Sequence, residues 1–250
     1  MPIDLPTLAL LFAAAFIAGL VDAIAGGGGL ITVPALLAAG LPPQLALGTN
    51  KLQASFGSGS AMLHFIRAGR VNLRDCLGGI IWTAIGAGLG VWAVQMLDPG
   101  LLRRLIPWLL ATIALYTLLT PQLGQEDINA RWPAGPFYLC FGLSLGFYDG
   151  FLGPGTGSFW AVAFMLVLGY SLVRATAYTK VMNFTSNATA LLFFLLAGQV
   201  QITAGLVMGA GQFLGARIGA RLVIRKGVAF VRPVFIAMVL AVLIKLILQR

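Results

Sequence analysis

Four charged residues stand inside otherwise apolar stretches of the chain, and their types suit the binding of a small anion. Lys51 and Lys180 lie six to eight residues inside predicted helices, and Asp22 and Asp149 each precede a glycine cluster by four residues. A charge at such depth in a membrane costs at least about 2.5 to 3.5 kcal/mol unless it faces a cavity or a partner. Three roles stay open for the lysines: facing an anion, which we favour, pairing with the aspartates, and snorkelling to the lipid headgroups.

The two aspartates have three candidate roles of their own. Asp22 and Asp149 could accept backbone N–H groups at the chain breaks that follow them, balance the charge of the lysines, or carry a coupling proton. We favour a structural or charge-balancing role. Sodium is the other coupling ion that we consider.

Two glycine clusters are expected to break helices and let a ligand approach the backbone. The short helices predicted to begin at Leu30 and Ser158 would then aim free N–H groups and a positive dipole end at an anion. The predicted substrate site therefore combines both clusters with the lysines and two asparagines, namely Gly26, Gly27, Gly28, Gly29, Asn50, Lys51, Gly153, Gly155, Thr156, Gly157, Lys180 and Asn183.

The composition indicates that these residues are embedded in a membrane. Of the 250 residues, 59% are hydrophobic and only 9% are charged, whereas a soluble domain carries about a quarter charged residues. The formal net charge is +9, but most arginines fall in short gaps between apolar runs. We interpret them as signals that keep loops on the cytoplasmic side, and we expect no nucleic-acid partner.

Hydropathy predicts ten helices, at residues 5–25, 30–39, 45–66, 73–96, 103–119, 135–152, 158–168, 172–197, 203–222 and 232–248. The segments 30–39 and 158–168 are too short to cross about 30 Å of hydrocarbon. The longest polar stretch, Thr120 to Pro133, separates a first transmembrane repeat (1–120) from a second (135–250), with a linker at 121–134.

The two halves are related by an internal duplication. At an offset of 127 residues Asp22 aligns with Asp149, and at an offset of 129 Lys51 aligns with Lys180, although the chain has only six aspartates and four lysines. Equivalent loops carry unequal numbers of arginines, which predicts opposite orientations in the membrane. The predicted fold is therefore all-α and polytopic, with two inverted repeats, each a glycine-broken hairpin plus three crossings, and both termini outside.

The sequence offers little for enzymatic chemistry. It has no GxxxxGK[ST], HExxH or CxxC pattern, and its single histidine leaves little for a catalytic triad. We therefore expect that the protein is not an enzyme and that it binds no metal ion and no cofactor. The pairs Gly86 and Gly90, Gly142 and Gly146, and Gly215 and Gly219 have the spacing of close helix packing.

The segment from Gly19 to Pro34, GLVDAIAGGGGLITVP, followed by LGTNK ending at Lys51, resembles the TauE/SafE family of sulfite exporters and related permeases. The second half repeats the likeness from Gly146 to Gly157 and from Ala175 to Asn183. The resemblance implies a bacterial-type, multi-pass permease of the plasma or inner membrane. Its implied substrate class is sulfite, sulfonates and other organosulfur anions.

The sequence thus predicts a secondary transporter that works by alternating access, with a midplane site between the two repeats. Its expected partners are a small anion, the lipid bilayer and a coupling proton or sodium ion, and a homodimer is considered beside a monomer. Two alternatives stay open: a passive anion channel on the same scaffold, and a membrane-embedded enzyme or assembly subunit.

Overall fold

A computed structural model describes residues 3–102, 104–106, 108, 112, 127 and 129–226. This part of the chain is helical and has no β-strand, as predicted. Its helices are α1 (Leu5–Ala25), α2 (Gly29–Ala38), α3 (Pro43–Arg67), α4 (Leu77–Gln95), α5 (Ala134–Phe151), α6 (Thr156–Val167), α7 (Leu172–Leu196) and α8 (Ile202–Lys226), with a 3₁₀ turn at Leu73–Cys76. The predicted helix 232–248 lies outside the described residues, as do most of the predicted helix 103–119 and half of the predicted linker 121–134.

Glycines with positive φ end the helices at both predicted breaks. Gly26 (φ 79°) terminates α1, and Gly153 (φ 95°) and Gly155 (φ 83°) separate α5 from α6. Side chains with a Cβ rarely adopt this conformation. Helices α2 and α6 begin slightly earlier than predicted, at Gly29 and Thr156 instead of Leu30 and Ser158.

The helices differ in length in a way that matters for a membrane. Helices α2 and α6 have 10 and 12 residues, which at 1.5 Å per residue is less than about 20 Å. Helices α3, α7 and α8 have 25 residues each, or roughly 37 Å. By length and apolar composition alone, Leu5–Ile24 and Leu73–Gln95 are candidate membrane spans within the described residues.

Glycines let α1 pack closely on α8, and α4 on α5. A Cβ at Gly215 would lie 2.0 Å from the carbonyl oxygen of Phe16, and one at Gly90 would lie 2.1 Å from that of Phe147. Gly219 is the counterpart of Gly90 at the 129-residue offset, and it contacts Leu20. Phe147, which Gly90 contacts, is the counterpart of Leu20 at the 127-residue offset. Equivalent glycines thus meet equivalent residues, and their predicted packing role is confirmed.

Among the described helices, the last long one of each half, α4 or α8, packs with helices of the other half. Helix α8 runs parallel to α3, since Gly205 meets Leu52 and Gly209 meets Phe56. Helix α4 runs parallel to α7, with Thr83 at Met182 and Gly88 at Phe193.

Helices α3 and α7 pack against each other in opposite directions. Gly48 near the start of α3 meets Gln199 after the end of α7, whereas Gly59 further along α3 meets Phe184. These two helices carry Lys51 and Lys180.

Candidate functional site

The two lysines and two aspartates form reciprocal buried ion pairs. Lys51 Nζ lies 2.7 Å from Asp149 Oδ1, and Lys180 Nζ lies 3.1 Å from Asp22 Oδ2. Each ammonium also donates to the backbone carbonyl of its aspartate. Both lysine side chains are only 1% exposed, so neither snorkels. Of the roles left open by the sequence, pairing with the aspartates is the arrangement observed, and each pair joins the two halves of the chain.

Asp22 also holds the first helix break in shape. Its backbone carbonyl accepts the Gly26 N–H at 2.9 Å, and its Oδ1 accepts the Gly28 N–H at 3.2 Å. Because the carboxylate satisfies a donor that the break exposes, it stabilises the turn as an N-terminal cap does for a helix. The structural and charge-balancing roles expected of Asp22 are both seen.

The second break is held by its own hydroxyl groups. The Tyr148 hydroxyl donates to the Pro154 carbonyl at 2.6 Å, and the Thr156 hydroxyl donates to the Gly153 carbonyl at 2.7 Å. The Ser186 hydroxyl, on α7, donates to Asp149 Oδ2. The carboxylate just before this break is therefore bonded through both of its oxygens.

The two helix breaks touch each other. A Cβ added at Gly26 would lie 2.4 Å from the carbonyl carbon of Gly157, and one at Gly29 would lie 3.0 Å from the Cα of Pro154. Side chains at Gly26 and Gly157 would push the breaks apart. The glycines are thus needed for close backbone contact as well as for the turns.

A small polar cavity lies where the breaks meet α3, α7 and α8. Its volume is about 30 Å³, which is room for roughly two water molecules. The predicted residues that line it are Asp22, Gly26, Gly29, Asn50, Asp149, Gly153, Gly155, Thr156, Gly157 and Asn183. Gly27, Gly28, Lys51 and Lys180 are not among its lining residues.

Fewer backbone donors face this cavity than the sequence predicts. The N–H groups of Leu30 and Ile31 donate to the carbonyls of Gly27 and Gly28, and the N–H of Thr156 donates to that of Gly153. The breaks therefore satisfy part of the first turn of α2 and α6 with their own carbonyls. The expected row of free N–H groups at the helix starts is wrong to that extent.

Gln212, on α8, lines the cavity and was not predicted as a site residue. Its Oε1 is buried and accepts no hydrogen bond from the described residues, and the same holds for Asn183 Oδ1. A polar side chain in the middle of a glycine-rich apolar helix was the signal that could have found Gln212.

Asn50 belongs to a polar network that reaches α2. Its Oδ1 accepts hydrogen bonds from the Thr32 hydroxyl at 2.6 Å and from Gln53 Nε2 at 2.7 Å. Thr32 is fully buried, and it is a second residue that the sequence reasoning missed. The network fixes the orientation of the Asn50 amide at the cavity.

The site as a whole carries no net charge, since two ammonium groups face two carboxylates. No group of three or more His, Cys, Asp or Glu side chains that could hold a metal ion occurs among the described residues. Chemically, the arrangement offers paired charges of both signs and amide groups around a space that must widen to admit a ligand.

The chain is similar in sequence to one protein family and to several known proteins. A family model described as "Sulfite exporter TauE/SafE" matches residues 11–246. A "Probable membrane transporter protein" of Haemophilus influenzae is 49% identical over 242 residues, which cover 95% of this chain and 93% of the relative. "Probable membrane transporter protein YfcA" of Escherichia coli K12 is 49% identical over 229 residues, covering 92% and 85%.

A more distant relative, "Probable membrane transporter protein YunE" of Bacillus subtilis, is 24% identical over 230 residues, covering 82% of this chain and 84% of the relative. No solved structure matches the chain significantly. Because the family model spans nearly the whole sequence and relatives at 49% identity align with more than nine tenths of it, the resemblance of the glycine motifs is confirmed, and the chain belongs to the sulfite exporter TauE/SafE family.

Proposed function

We propose that this protein is a multi-pass secondary transporter of the cell membrane that moves small anions, with sulfite, sulfonates and other organosulfur anions as its substrate class. The single observation that carries the proposal is the pair of reciprocal Lys–Asp contacts at two helix breaks around one cavity. Charged groups at that depth serve ligand or ion pathways far more often than stability. The family membership and the names of the relatives support transport over catalysis.

The helix directions support a pair of inverted repeats. Helices α1, α3 and α8 run together, and α4, α5 and α7 run the opposite way, as the contacts of their glycines indicate. Each helix of the first half is therefore antiparallel to its counterpart: α1 to α5, α3 to α7 and α4 to α8. Inverted repeats with broken helices that meet at a midplane site are a common plan of secondary transporters.

The size of the cavity supports alternating access. A space of about 30 Å³ holds roughly two waters, so the two halves would have to move apart to admit an anion. The amides of Asn50 and Asn183 and the backbone of both breaks would contact the anion. Lys180 would supply the positive charge, and Lys51 would hold Asp149 at the wall of the cavity.

The exposed arginines support an orientation in the membrane. Arg67 ends α3, Arg70 and Arg74 follow it, and Arg217 and Arg221 lie near the end of the parallel helix α8. We assign this end to the cytoplasm, which puts the start of α1 outside. To test this, Arg70→Cys and Asp98→Cys, each in a Cys140→Ser background, are labelled with a membrane-impermeant maleimide. Labelling of Arg70→Cys in intact cells would contradict the orientation.

Transport itself is tested with purified protein in liposomes, using labelled sulfite and methanesulfonate. We expect saturable uptake that Lys51→Met or Lys180→Met abolishes, while Arg221→Met, which removes an exposed charge, leaves uptake unchanged. Undiminished uptake in both lysine variants would remove the lysines from the site. Unsaturable currents far above roughly a thousand ions per second would favour a channel, and uptake without any other protein would dismiss an assembly subunit.

A further inference from the structure

The two ion pairs are unequal in their surroundings. The Asp149 side chain is 4% exposed, and its oxygens take the Lys51 ammonium at 2.7 Å and the Ser186 hydroxyl. The Asp22 side chain is 15% exposed, its contact with Lys180 is 3.1 Å, and among the described residues its other oxygen accepts only the Gly28 N–H, at 3.2 Å. The pair that contains Asp22 is therefore held by longer contacts and lies nearer to water.

The internal duplication gives the cause of this inequality. At the 129-residue offset Ser186 corresponds to Gly57, which has no hydroxyl to offer Asp22. The space beside Gly57 is filled instead by Gln212, since a Cβ at Gly57 would lie 2.4 Å from Gln212 Cγ. The counterpart of Gln212 is Thr83, whose hydroxyl points at the sulfur of Met182, 3.5 Å away. At this position the first half therefore has no hydroxyl that could bond Asp22 as Ser186 bonds Asp149.

The charge balance restricts how an anion can bind here. Both lysines are already neutralised, so an added anion would leave an uncompensated negative charge in a buried site, which is strongly unfavourable. A lysine becomes available only when its own aspartate is neutral. Protonation makes the aspartate neutral and removes the ion pair, while the carboxyl group itself stays in place.

On the basis of the anion transport proposed above, we propose that Asp22 takes up a proton as an anion binds Lys180, and that proton and anion cross together, one to one. The proton comes from water on the open side and bonds to a carboxylate oxygen of Asp22. Lys180 remains an ammonium and exchanges Asp22 for the anion. On the other side both ligands leave and the ion pair forms again, while Lys51 and Asp149 stay paired throughout.

The other polar groups around Asp22 agree with this role. It faces Lys180 from α7 and the Gly28 N–H from its own break, and Asp149 and Gln212 line the same cavity. Gln212 Oε1 is a buried acceptor with no donor among the described residues. A protonated Asp22 brings an O–H donor into the cavity that this oxygen adjoins.

The test uses purified protein in liposomes that contain a pH-sensitive dye, with methanesulfonate as the probe because it stays ionised at every pH used. We expect inward methanesulfonate flux to acidify the lumen by one proton per anion and to be independent of membrane potential. Uptake without acidification, or uptake driven by sodium in place of protons, would overturn the proposal and leave anion transport standing. No uptake of methanesulfonate or sulfite would count against the proposed function itself.

Two variants assign the proton to Asp22. Asp22→Asn mimics the protonated state permanently, so it should keep methanesulfonate exchange across the membrane but lose proton-driven net uptake at least tenfold. The double variant Gly57→Ser, Gln212→Thr gives the first half the residues of the second and should also lower net uptake at least tenfold. If Asp22→Asn loses exchange as well, the net uptake of the double variant decides whether Asp22 carries the proton. Proton-coupled uptake at the wild-type rate by either variant would overturn the role of Asp22.

Discussion

Lys51 donates a hydrogen bond to Asp149, 98 residues further along the chain, with 2.7 Å between Nζ and Oδ1. Helix α3 of the first half supplies the lysine, and the last turn of α5 in the second half supplies the carboxylate. Both side chains are almost completely buried. The contact therefore joins the two halves at the point where the second helix break begins, and both charges are shielded from bulk solvent.

Replacing one partner of this pair should destabilise the protein more than replacing both partners by neutral residues. Lys51→Met leaves the Asp149 carboxylate buried without its cation, which costs about 3–5 kcal/mol, whereas replacing both partners by neutral residues is often close to neutral. We expect a large fall in the thermal unfolding temperature of the purified protein for Lys51→Met, and recovery of most of it in the double variant Lys51→Met, Asp149→Asn. A double variant no more stable than the single one would show that the charges are not coupled.

The helices and the aligned charges could be predicted from the sequence because they depend on local signals. Apolar runs ended by glycine or proline predict the described helices to within a few residues. An aspartate and a lysine that recur in register inside such runs are uncommon enough to indicate a site. These features need no knowledge of how distant segments meet.

The partners of the charges could not be predicted in the same way. Lys180 reaches Asp22, 158 residues away, and only the crossing of α3 and α7 decides which aspartate each lysine meets. Gln212 was missed because its place at the cavity depends on close packing of α8 against Gly19 and Gly57. The sequence overestimates the number of free N–H groups because carbonyls of the breaks accept hydrogen bonds from several of them. The number of glycines in a break does not reveal this.

Close packing at the paired helices predicts that glycine-to-alanine substitutions differ in their cost to stability. An added methyl group at Gly90 or Gly215 would meet a backbone oxygen at 2.1 or 2.0 Å, and backbone cannot yield as a side chain can. Gly90→Ala and Gly215→Ala should each cost about 1–3 kcal/mol of stability. Gly135→Ala is the matched control, since nothing lies within 4 Å of its added Cβ. Equal unfolding temperatures for all three variants would contradict the packing.

The second break predicts a contrast between two tyrosines. The Tyr148 hydroxyl donates to the Pro154 carbonyl at 2.6 Å, while the buried Tyr138 hydroxyl has no hydrogen-bond partner among the described residues. Tyr148→Phe leaves a carbonyl of the break unsatisfied, at a cost of about 1–3 kcal/mol, and should lower anion uptake. Tyr138→Phe removes only an unused polar group and should be neutral or slightly stabilising. Thermal unfolding of both variants checks this, and a larger loss for Tyr138→Phe would contradict it.

A pH-dependent contact lies at the start of α7, where Asp127 accepts a hydrogen bond from Arg174 at 2.7 Å and another from the Ser171 N–H. Partial burial works to raise the pKa of Asp127, but the Ser171 N–H and the Arg174 guanidinium outweigh it and hold this pKa below its ordinary value. A carboxylate with a lowered pKa stabilises the folded state above the pKa of the unfolded chain, about 3.9, and loses that contribution as the pH falls through the folded value.

Asp127→Asn should therefore lower stability at pH 7, and the difference from the wild type should shrink as the pH falls below about 4. The effect is small, at most about 1 kcal/mol, because both side chains are more than a third exposed and water screens the pair. Unfolding temperatures of the two proteins measured from pH 7 to pH 3 check the trend. A difference that stays constant over this range would mean that the asparagine acts through its shape and not through the lost charge.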